Sequence, residues 1–161
     1  MSDIFPKDSI GQDSHRFEEN SGKPCVLAGV VFPEVPGFLA NSDGDVVLHA
    51  VTNAVSGITG WNILGGYADE MCAQGITDSR AYLRSALRYL KAPVVHLSVS
   101  IEGLRPKITP RIPEMRQSLA ALLGIGAEAV GITATTGEGL TAFGRGEGVS
   151  VFCILTVGDE T

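Results

Sequence analysis

The sequence predicts an α+β fold, a single-domain two-layer sandwich in which a mixed sheet carries its helices on one face. Three observations support this prediction. The chain has 161 residues, which is the size of one domain, so we treat residues 1–161 as a single unit. Several segments of strand length alternate apolar and polar residues, and other segments repeat apolar residues at helical spacing. Strands and helices interspersed in this way favour helices packed against one sheet.

Five segments have the composition of strands. Residues 94–101 and 149–157 place apolar side chains at every second position, which is typical of a strand with one buried face. Residues 25–32 (CVLAGVVF) form an apolar run of strand length. Residues 33–39, which contain two prolines, are predicted to be a connecting loop. We also predict strands over residues 10–17 and 130–136, and a loose N-terminal segment over residues 1–9.

Three further segments have helical patterns. Ser42 and Asp45 form an S-x-x-D capping pattern, so we predict that Ser42 opens the first helix. The glycine-rich residues 57–76 are predicted to be a mobile lid or binding loop. The second helix is predicted to begin at residue 77 or 78. The third helix is predicted over residues 113–123, with a proline at its start and a glycine directly after its end.

Composition and charge exclude several classes of function. The net charge is −6 and no lysine and arginine cluster is interleaved with aromatic residues, so we expect no nucleic-acid partner. No apolar stretch is long enough to span a bilayer, and the N-terminus lacks a signal peptide's apolar core. We therefore expect no membrane association and a cytoplasmic location. Cys25, Cys72 and Cys153 are an odd number without metal-ligand spacing, which favours reduced structural thiols.

Asp13, His15 and His49 are candidate metal ligands. Asp13 and His15 are two positions apart, and on a strand such residues point to the same side. His49 lies on a polar stripe of the first predicted helix. One carboxylate and two imidazoles match the ligand preference of Zn²⁺ and would leave a fourth position open. From spacing alone the alternative stays open, namely a solvated strand pair and a hydrogen-bonding histidine. The third histidine, His96, faces the polar side of its strand and receives no role.

The segment ANSDGD (40–45) is a candidate phosphate site. Backbone N–H groups at a helix N-terminus attract anions, and Asn41 and Ser42 are predicted to lie there. The two aspartates of the segment would repel a phosphate unless a cation lies between them, which favours a metal nearby. A plain helix cap is the alternative for this segment.

Three glycine-containing loops carry polar groups that could bind a ligand. Residues 134–139 (ATTGEG) offer two hydroxyls and Glu138, which could ligate a hard cation. Residues 102–110 offer an arginine and a lysine, and residues 143–148 (FGRGEG) offer Arg145 beside a glutamate. The ordinary explanations are a solvated loop for the first two segments and an internal salt bridge for the third.

Taken jointly and in this order, these segments resemble the 2-C-methyl-D-erythritol 2,4-cyclodiphosphate synthase family of the non-mevalonate isoprenoid pathway. The resemblance extends over nearly the whole chain, from Ile10 to Val157. The matching stretches are GQDSHRF (11–17), ANSDGDVVLHAVTNA (40–54), ITDSRAYL (76–83), RPKITPRIPEMR (105–116) and ITATTGEGLTAFGRGEGVS (132–150). Each motif alone is weak, but their joint occurrence is highly specific.

The resemblance implies an enzyme, a phosphorus–oxygen lyase that performs an intramolecular phosphoryl transfer. The implied substrate is 4-diphosphocytidyl-2-C-methyl-D-erythritol 2-phosphate. Its 2-phosphate attacks the β-phosphorus, CMP leaves, and 2-C-methyl-D-erythritol 2,4-cyclodiphosphate forms. The resemblance further implies Zn²⁺ on Asp13, His15 and His49, and a second divalent cation, Mg²⁺ or Mn²⁺, on Glu138. It also implies a homotrimer around a central axis, with active sites between neighbouring subunits.

The resemblance also implies which residues contact the substrate. Asn41 and Thr136 would act in catalysis, and residues 103–109 with 134–136 would hold the cytosine and ribose. The 63–72 loop would close over the methylerythritol part, and Arg145 would line the end of a central channel. The implied substrate-binding residues are Asp13, His15, Asn41, Ser42, Ile63, Gly65, Gly103, Pro106, Lys107, Ile108, Thr109, Ala134, Thr135, Thr136, Glu138 and Arg145.

Three positions depart from the family pattern. Asn41 stands where the family usually has a histidine, and asparagine can donate a hydrogen bond but carries no charge. Ile63-Leu64-Gly65 replaces a usual Asp-Ile-Gly, and Gln12 replaces a usual aromatic residue. Because all metal positions are kept, we expect an active enzyme with altered loop contacts. A metal-dependent phosphohydrolase and a non-catalytic phosphate-binding relative stay open as alternatives.

Overall fold

A four-stranded sheet, a separate two-stranded hairpin and four α-helices make up the computed structural model, which describes residues 5–159. The strands are β1 (Lys7–Arg16), β2 (Pro24–Leu27), β3 (Val30–Pro36), β4 (Val94–Glu102), β5 (Val130–Thr135) and β6 (Gly148–Val157). The helices are α1 (Val46–Thr59), α2 (Gly66–Ala73), α3 (Ser79–Leu87) and α4 (Ile112–Leu123). Short 3₁₀ turns lie at Thr109–Arg111, Ala127–Ala129 and Gly137–Gly139.

The main sheet is mixed, as predicted, and its strand order is β1-β6-β4-β5. Strand β6 pairs antiparallel with β1 and β4, whereas β4 and β5 run parallel. The register places Asp13, Val151, Ile101 and Ala134 in one row across the four strands. Since neighbouring strands lie about 4.8 Å apart, the two ends of this row are separated by roughly 14 Å. Residues of β1 and β5 therefore occupy opposite edges of the sheet.

One face of the sheet is buried beneath the helices. Leu97, Val99 and Ile101 of β4 are at most 1% exposed, and they belong to one core with the apolar residues of α1. Helix α1 packs directly on β1 at Gly11, where an added Cβ would collide with the carbonyl oxygen of Ala50. Only glycine permits this close approach. It brings the helix that carries His49 against the strand that carries Asp13 and His15.

The opposite face of the sheet is open in the single chain. Ile10, Phe152 and Ile154 project from it and are 66%, 45% and 50% exposed. The register places Ile10 beside Ile154, and Phe152 beside Gln12 of β1. This open face is therefore partly apolar.

The apolar run over residues 25–32 forms a hairpin, not the single strand that the sequence predicted. Ala28 and Gly29 make a tight turn with φ values of 55° and 74°, which match the positive φ of hairpin turns. Strand β3 then extends to Pro36, so the loop predicted over residues 33–39 is wrong for residues 33–36. The turn lies inside an apolar run without the usual Asn-Gly or Asp-Gly signal, and its position is therefore hidden in the sequence.

The first helix begins later than predicted. Asp45, not Ser42, is its N-cap, and the Asp45 carboxylate accepts from the backbone N–H of Leu48. The Ser42 hydroxyl instead accepts from the backbone N–H of Gly44 at 3.1 Å, which closes a local turn. The capping pattern thus marks the right region but the wrong residue.

Two other predicted segments are more ordered than expected. The glycine-rich residues 57–76 contain helix α2, which the sequence analysis missed. Strand β1 begins at Lys7, so part of the predicted loose segment over residues 1–9 is paired with β6, while residues 1–4 lie outside the described part of the chain. The predicted start of α3 is confirmed, with Asp78 as its N-cap. The predicted end of α4 is also confirmed, with Gly124 as a left-handed C-cap at φ 70°, but α4 begins at Ile112, one residue before the predicted start.

The three cysteines are free thiols. Burial raises the pKa of Cys25 and of Cys153 to about 12, so neither is a reactive thiolate at neutral pH. None of the helices within residues 5–159 has the length and apolar character needed to cross a membrane.

Candidate metal centre

Strand β1 and helix α1 bring the three predicted metal ligands together. The Oδ2 of Asp13 lies 3.0 Å from Nδ1 of His49 and 3.3 Å from Nε2 of His15, and these two ring nitrogens are 3.0 Å apart. His49 is 7% exposed, whereas Asp13 and His15 are half-buried at the margin of a cavity. The three atoms therefore form a compact triangle with one side open to the cavity.

This triangle fits a divalent metal ion of the size of Zn²⁺. Ligands about 2.0–2.1 Å from a tetrahedral zinc ion are separated by roughly 3.3–3.4 Å, which is close to the observed spacings. Burial alone would raise the pKa of Asp13, but its polar contacts with the imidazoles of His15 and His49 hold it well below its usual range. A carboxylate that stays ionised beside two imidazoles is a suitable donor set for such an ion. Within residues 5–159 no other group of three potential ligands is found.

His49 is fixed from the side of its ring that points away from the triangle. Its Nε2 lies 2.8 Å from the hydroxyl oxygen of Ser79 and 3.4 Å from that of Ser42. Ser79 in turn donates to Oδ1 of Asp43 at 2.5 Å, and its backbone N–H donates to Oδ2 of Asp43 at 3.1 Å. No role of Ser79 was predicted from the sequence, in which residues 77 and 78 indicate only a helix start.

The two aspartates of the 40–45 segment are turned into the protein. Asp45 accepts hydrogen bonds from the backbone N–H groups of Ala28, Gly29 and Leu48 at 2.7–3.0 Å. Burial raises the pKa of Asp45 to about 6, although these hydrogen bonds oppose the shift. The start of α1 is thus capped by its own carboxylate, as in the plain helix cap considered for this segment, while Asn41 and Ser42 precede this cap and line the cavity.

Lys23 supports the same segment from behind. Its ammonium group donates to the carbonyl oxygens of Ala40 and Ser42 at 2.8 and 3.0 Å. These bonds fix the backbone on both sides of Asn41, which lines the cavity. Local sequence patterns carry no signal for this contact, because Lys23 acts on a segment far away in the chain.

A cavity of about 490 Å³ opens beside the triangle. Strand β1, helix α1, the 40–42 segment, helix α2 and Tyr82 of α3 surround it. Its lining residues are Asp13, His15, Ala40, Asn41, Ser42, His49, Asn53, Leu64, Gly65, Ala68, Asp69, Cys72 and Tyr82. Of the predicted substrate contacts, Asp13, His15, Asn41, Ser42 and Gly65 are thus brought together here. Asp69 adds a carboxylate that was not predicted from the sequence.

Ile63 is not part of this wall. Its side chain is 1% exposed and belongs to the core, whereas Leu64 and Gly65 face the cavity. An apolar side chain at this position is better satisfied by packing than by a polar ligand. The implied substrate contact of the Ile63 side chain is therefore corrected.

A second cavity, of about 310 Å³, lies at the β5 edge of the sheet. Seven predicted residues line it, and the family resemblance implies that they hold the cytosine and ribose. The complete lining is Gly103, Leu104, Pro106, Lys107, Ile108, Thr109, Pro110, Ala134 and Thr136. The metal triangle and this cavity occupy opposite edges of the same sheet.

The remaining predicted site residues lie outside both cavity linings. Glu138 is exposed and adopts φ 49° between two glycines, a conformation that non-glycine residues rarely adopt. Thr135 accepts from the backbone N–H of Gly137 at 3.2 Å. Arg145 donates to the carboxylate of Glu147 at 3.1 Å, so the internal salt bridge considered for this loop is confirmed.

The fold and the site define a two-layer α+β protein with a candidate carboxylate–imidazole metal site at one edge of a mixed sheet. Residues 7–158 match the YgbB family, and the chain belongs to this family. A relative from Chlamydia caviae is 55% identical over 154 residues, which cover 93% of this chain and 88% of the relative. A relative from Chlamydia felis is 56% identical over 152 residues, with coverages of 92% and 86%. Both relatives are named 2-C-methyl-D-erythritol 2,4-cyclodiphosphate synthase.

Solved structures of the same enzyme are similar to this chain. One 2C-methyl-D-erythritol-2,4-cyclodiphosphate synthase structure matches with a TM-score of 0.83 and 32% identity, covering 94% of this chain and 99% of that chain. A structure of the synthase in a CDP-bound form matches with a TM-score of 0.81 and 30% identity, and it also covers 94% of this chain and 99% of that chain. The resemblance found in the sequence is confirmed, and the chain belongs to an enzyme family of cyclodiphosphate synthases.

Proposed function

We propose that this protein converts 4-diphosphocytidyl-2-C-methyl-D-erythritol 2-phosphate to 2-C-methyl-D-erythritol 2,4-cyclodiphosphate and releases CMP. The observation that carries the proposal is the triangle of Asp13, His15 and His49. It fits one divalent ion at the margin of a cavity that Asn41 and Ser42 also line. More than half of the chain is identical to relatives named as this synthase.

The proposed roles follow from the positions of the side chains. A Zn²⁺ ion held by Asp13, His15 and His49 would polarise the diphosphate and offset its charge. Asn41 and Ser42, held in place by Lys23, would donate hydrogen bonds to the phosphates. Ring closure within one bound molecule requires mainly that its two ends be held together.

The cavity at the β5 edge is proposed to hold the cytidine part of the substrate. Its lining combines apolar side chains with Lys107 and the hydroxyl of Thr136, which is a common composition for a nucleotide pocket. Thr136 would steady the charge that develops on the phosphates. Glu138 would hold the second divalent cation, Mg²⁺ or Mn²⁺. Its left-handed conformation supports this role, because such strained residues cluster at functional sites.

We further propose a homotrimer in which the β1 edge of one subunit meets the β5 edge of the next. Within one chain these edges are roughly 14 Å apart, so neither alone provides both halves of the site. A closed ring of three sheets would bury the open face with Ile10, Phe152 and Ile154 around a central axis. In this ring Arg145 would line the end of the central channel. The three free thiols support a reducing, cytoplasmic location.

The experiment that tests the proposed function is product identification. The purified protein is incubated with the diphosphocytidyl substrate, Zn²⁺ and Mg²⁺ or Mn²⁺, and products are followed by ³¹P NMR and by CMP release. We expect CMP and a cyclic diphosphate in equal amounts, and no turnover after metal removal. A linear hydrolysed product would identify a phosphohydrolase instead. Tight substrate binding without turnover would identify a non-catalytic relative.

The trimer is tested separately by light scattering. We expect three times the mass of one chain, and dissociation when Phe152→Asp places a charge on the open face. A monomeric wild-type protein would contradict the proposed assembly.

A further inference from the structure

The side of His49 that faces away from the metal triangle contacts a buried hydroxyl and, through it, a carboxylate. We propose that Ser79 and Asp43 are positioning residues, which fix the tautomer and the orientation of His49 so that its Nδ1 is available to the metal ion. This inference rests on the proposed metal site and adds residues that do not themselves touch a metal or a substrate.

The hydrogen-bond directions determine the tautomer. The hydroxyl oxygen of Ser79 lies 2.5 Å from Oδ1 of Asp43, and an ionised carboxylate can only accept, so the hydroxyl hydrogen points to Asp43. The same oxygen lies 2.8 Å from Nε2 of His49 and must then accept from it. Nε2 therefore carries the hydrogen, and Nδ1 keeps its lone pair directed towards Asp13 and His15.

The position of Asp43 is itself fixed. Its Oδ2 accepts from the backbone N–H of Ser79 at 3.1 Å, and its Oδ1 also accepts from the backbone N–H of Asp45 at 3.0 Å. The backbone N–H of Asp43 donates to the carbonyl oxygen of Thr77 at 2.8 Å. Asp43 thus links the start of α1 to the start of α3, and Ser79 is fully buried between them.

The Asp43 carboxylate influences the His49 imidazole from outside the cavity. Asp43 is not among the residues that line the cavity, so its charge does not face a bound phosphate. Through the Ser79 hydroxyl it stabilises the hydrogen on Nε2 and makes Nδ1 a stronger donor to a metal. Outer partners of this kind, when removed, typically weaken metal binding 10- to 100-fold.

Ser42 provides a matched control at the same ring nitrogen. Its hydroxyl lies 3.4 Å from Nε2 of His49 and already accepts from the backbone N–H of Gly44. At that distance the contact with the ring is weak. Removing this hydroxyl should therefore change metal affinity much less than removing that of Ser79.

The experiment measures the zinc affinity of the purified protein by competition with a chromophoric chelator, without substrate. We expect Ser79→Ala and Asp43→Asn each to weaken zinc binding by about 10- to 100-fold, and Ser42→Ala by less than about threefold. The double variant Ser79→Ala/Asp43→Asn should lose little more than Ser79→Ala, because Asp43 acts through the hydroxyl. The proposal would be overturned if Ser79→Ala and Asp43→Asn both kept zinc affinities within twofold of the wild type. It would also be overturned if Ser79→Ala, Asp43→Asn and Ser42→Ala all weakened zinc binding equally.

A purely structural role has a different signature. If Ser79 and Asp43 only tie α1 to α3, their removal should lower the Tm of the metal-free protein and leave zinc affinity unchanged. That result also overturns the proposal. Should Ser79→Ala fail to fold, Asp43→Asn decides alone, because its amide oxygen can still accept from the Ser79 backbone. Because the readout is zinc binding, a failure here is distinct from an absence of CMP release.

Discussion

Helices α1 and α2 face the same cavity, but the protein holds them very differently. Ten of the fourteen residues of α1 are buried, whereas Ala68 is the one buried residue among the eight of α2. The Asp45 carboxylate caps the start of α1, while α2 begins after Gly65 without a side-chain cap. The wall that carries the metal ligand is thus part of the core, and the opposite wall lies on the surface.

Helix α2 is attached through a few side chains. Cys72 lies 2.8 Å from the hydroxyl of Tyr82, which donates to the carbonyl oxygen of Ile76. Tyr67 contacts Trp61 at a ring distance of 6.1 Å, and Trp61 stacks on Tyr89 at 4.9 Å.

The difference between the two helices indicates that α1 holds ligand positions fixed and that α2 can move. Elements with few buried contacts open locally at low free-energy cost, and ligand-binding walls are often drawn from them. A metal centre needs fixed ligand positions, which α1 supplies through its packing on β1. A wall that admits a large substrate benefits from local movement, which α2 allows. Substitutions in the two walls test this contrast.

His49→Ala should have the largest effect, because it removes a ligand from the rigid wall. We expect loss of stoichiometric zinc and a fall in CMP release of at least about a thousandfold. Metal analysis and the CMP assay measure the two effects, and circular dichroism confirms folding. His96→Ala, which alters an exposed histidine of β4, is the control and should keep its zinc. A His49→Ala protein that retains zinc and turnover would remove the metal centre from the mechanism.

Tyr67→Ala should have a moderate effect confined to substrate binding, because Tyr67 anchors the loosely held wall without lining the cavity. An aromatic pair contributes about 0.5–1.5 kcal/mol, so we expect KM to rise about two- to tenfold while kcat changes little. Trp61 is the single tryptophan of the chain, and its fluorescence should report the loss of contact. Tyr67→Phe keeps the ring and should behave like the wild type. A lower kcat at unchanged KM would contradict a binding role for α2.

The smallest predicted effect is a pH dependence of stability at Asp45. Its pKa is raised to about 6, so the folded protein binds a proton that the unfolded chain releases near pH 4. The contribution of this carboxyl group to stability therefore falls as pH rises through this window, by about 1 kcal/mol between pH 5 and pH 7. Denaturant unfolding of wild type and Asp45→Asn at both pH values measures it. The free energy of unfolding of Asp45→Asn should lack this change with pH. If the free energy of unfolding changes equally with pH in the wild type and the variant, Asp45 does not titrate in this range.

Much of the fold and the metal centre could be predicted from sequence, because local periodicity encodes them. The spacing of Asp13 and His15 on a strand and the helical position of His49 made these residues candidate metal ligands. The family resemblance then favoured this interpretation over a solvated strand pair and a hydrogen-bonding histidine. The strands around residues 94–101 and 149–157 followed from their alternation. The joint occurrence of the motifs then identified the family, which no single motif could do.

What the sequence could not show depends on contacts between distant segments. The turn at Ala28 and Gly29 lies within an apolar run, which hides it. The carboxylate of Asp45, the cap of α1, also accepts hydrogen bonds from the backbone N–H groups of this distant turn. Ser79 and Lys23 act on residues far away in the chain, so local patterns carry no signal for them. Helix α2 was missed because its glycine-rich surroundings are typical of a loop.

The row from Asp13 to Ala134 across the sheet has a consequence for mixed assemblies. In the proposed ring each catalytic centre is formed by the β1 edge of one chain and the β5 edge of its neighbour. A chain damaged only at the β1 edge, such as Asp13→Ala, still presents an intact β5 edge, and a chain with Thr136→Ala presents the reverse. Refolding these two inactive chains together would pair intact edges at some junctions and restore part of the activity that neither chain has alone.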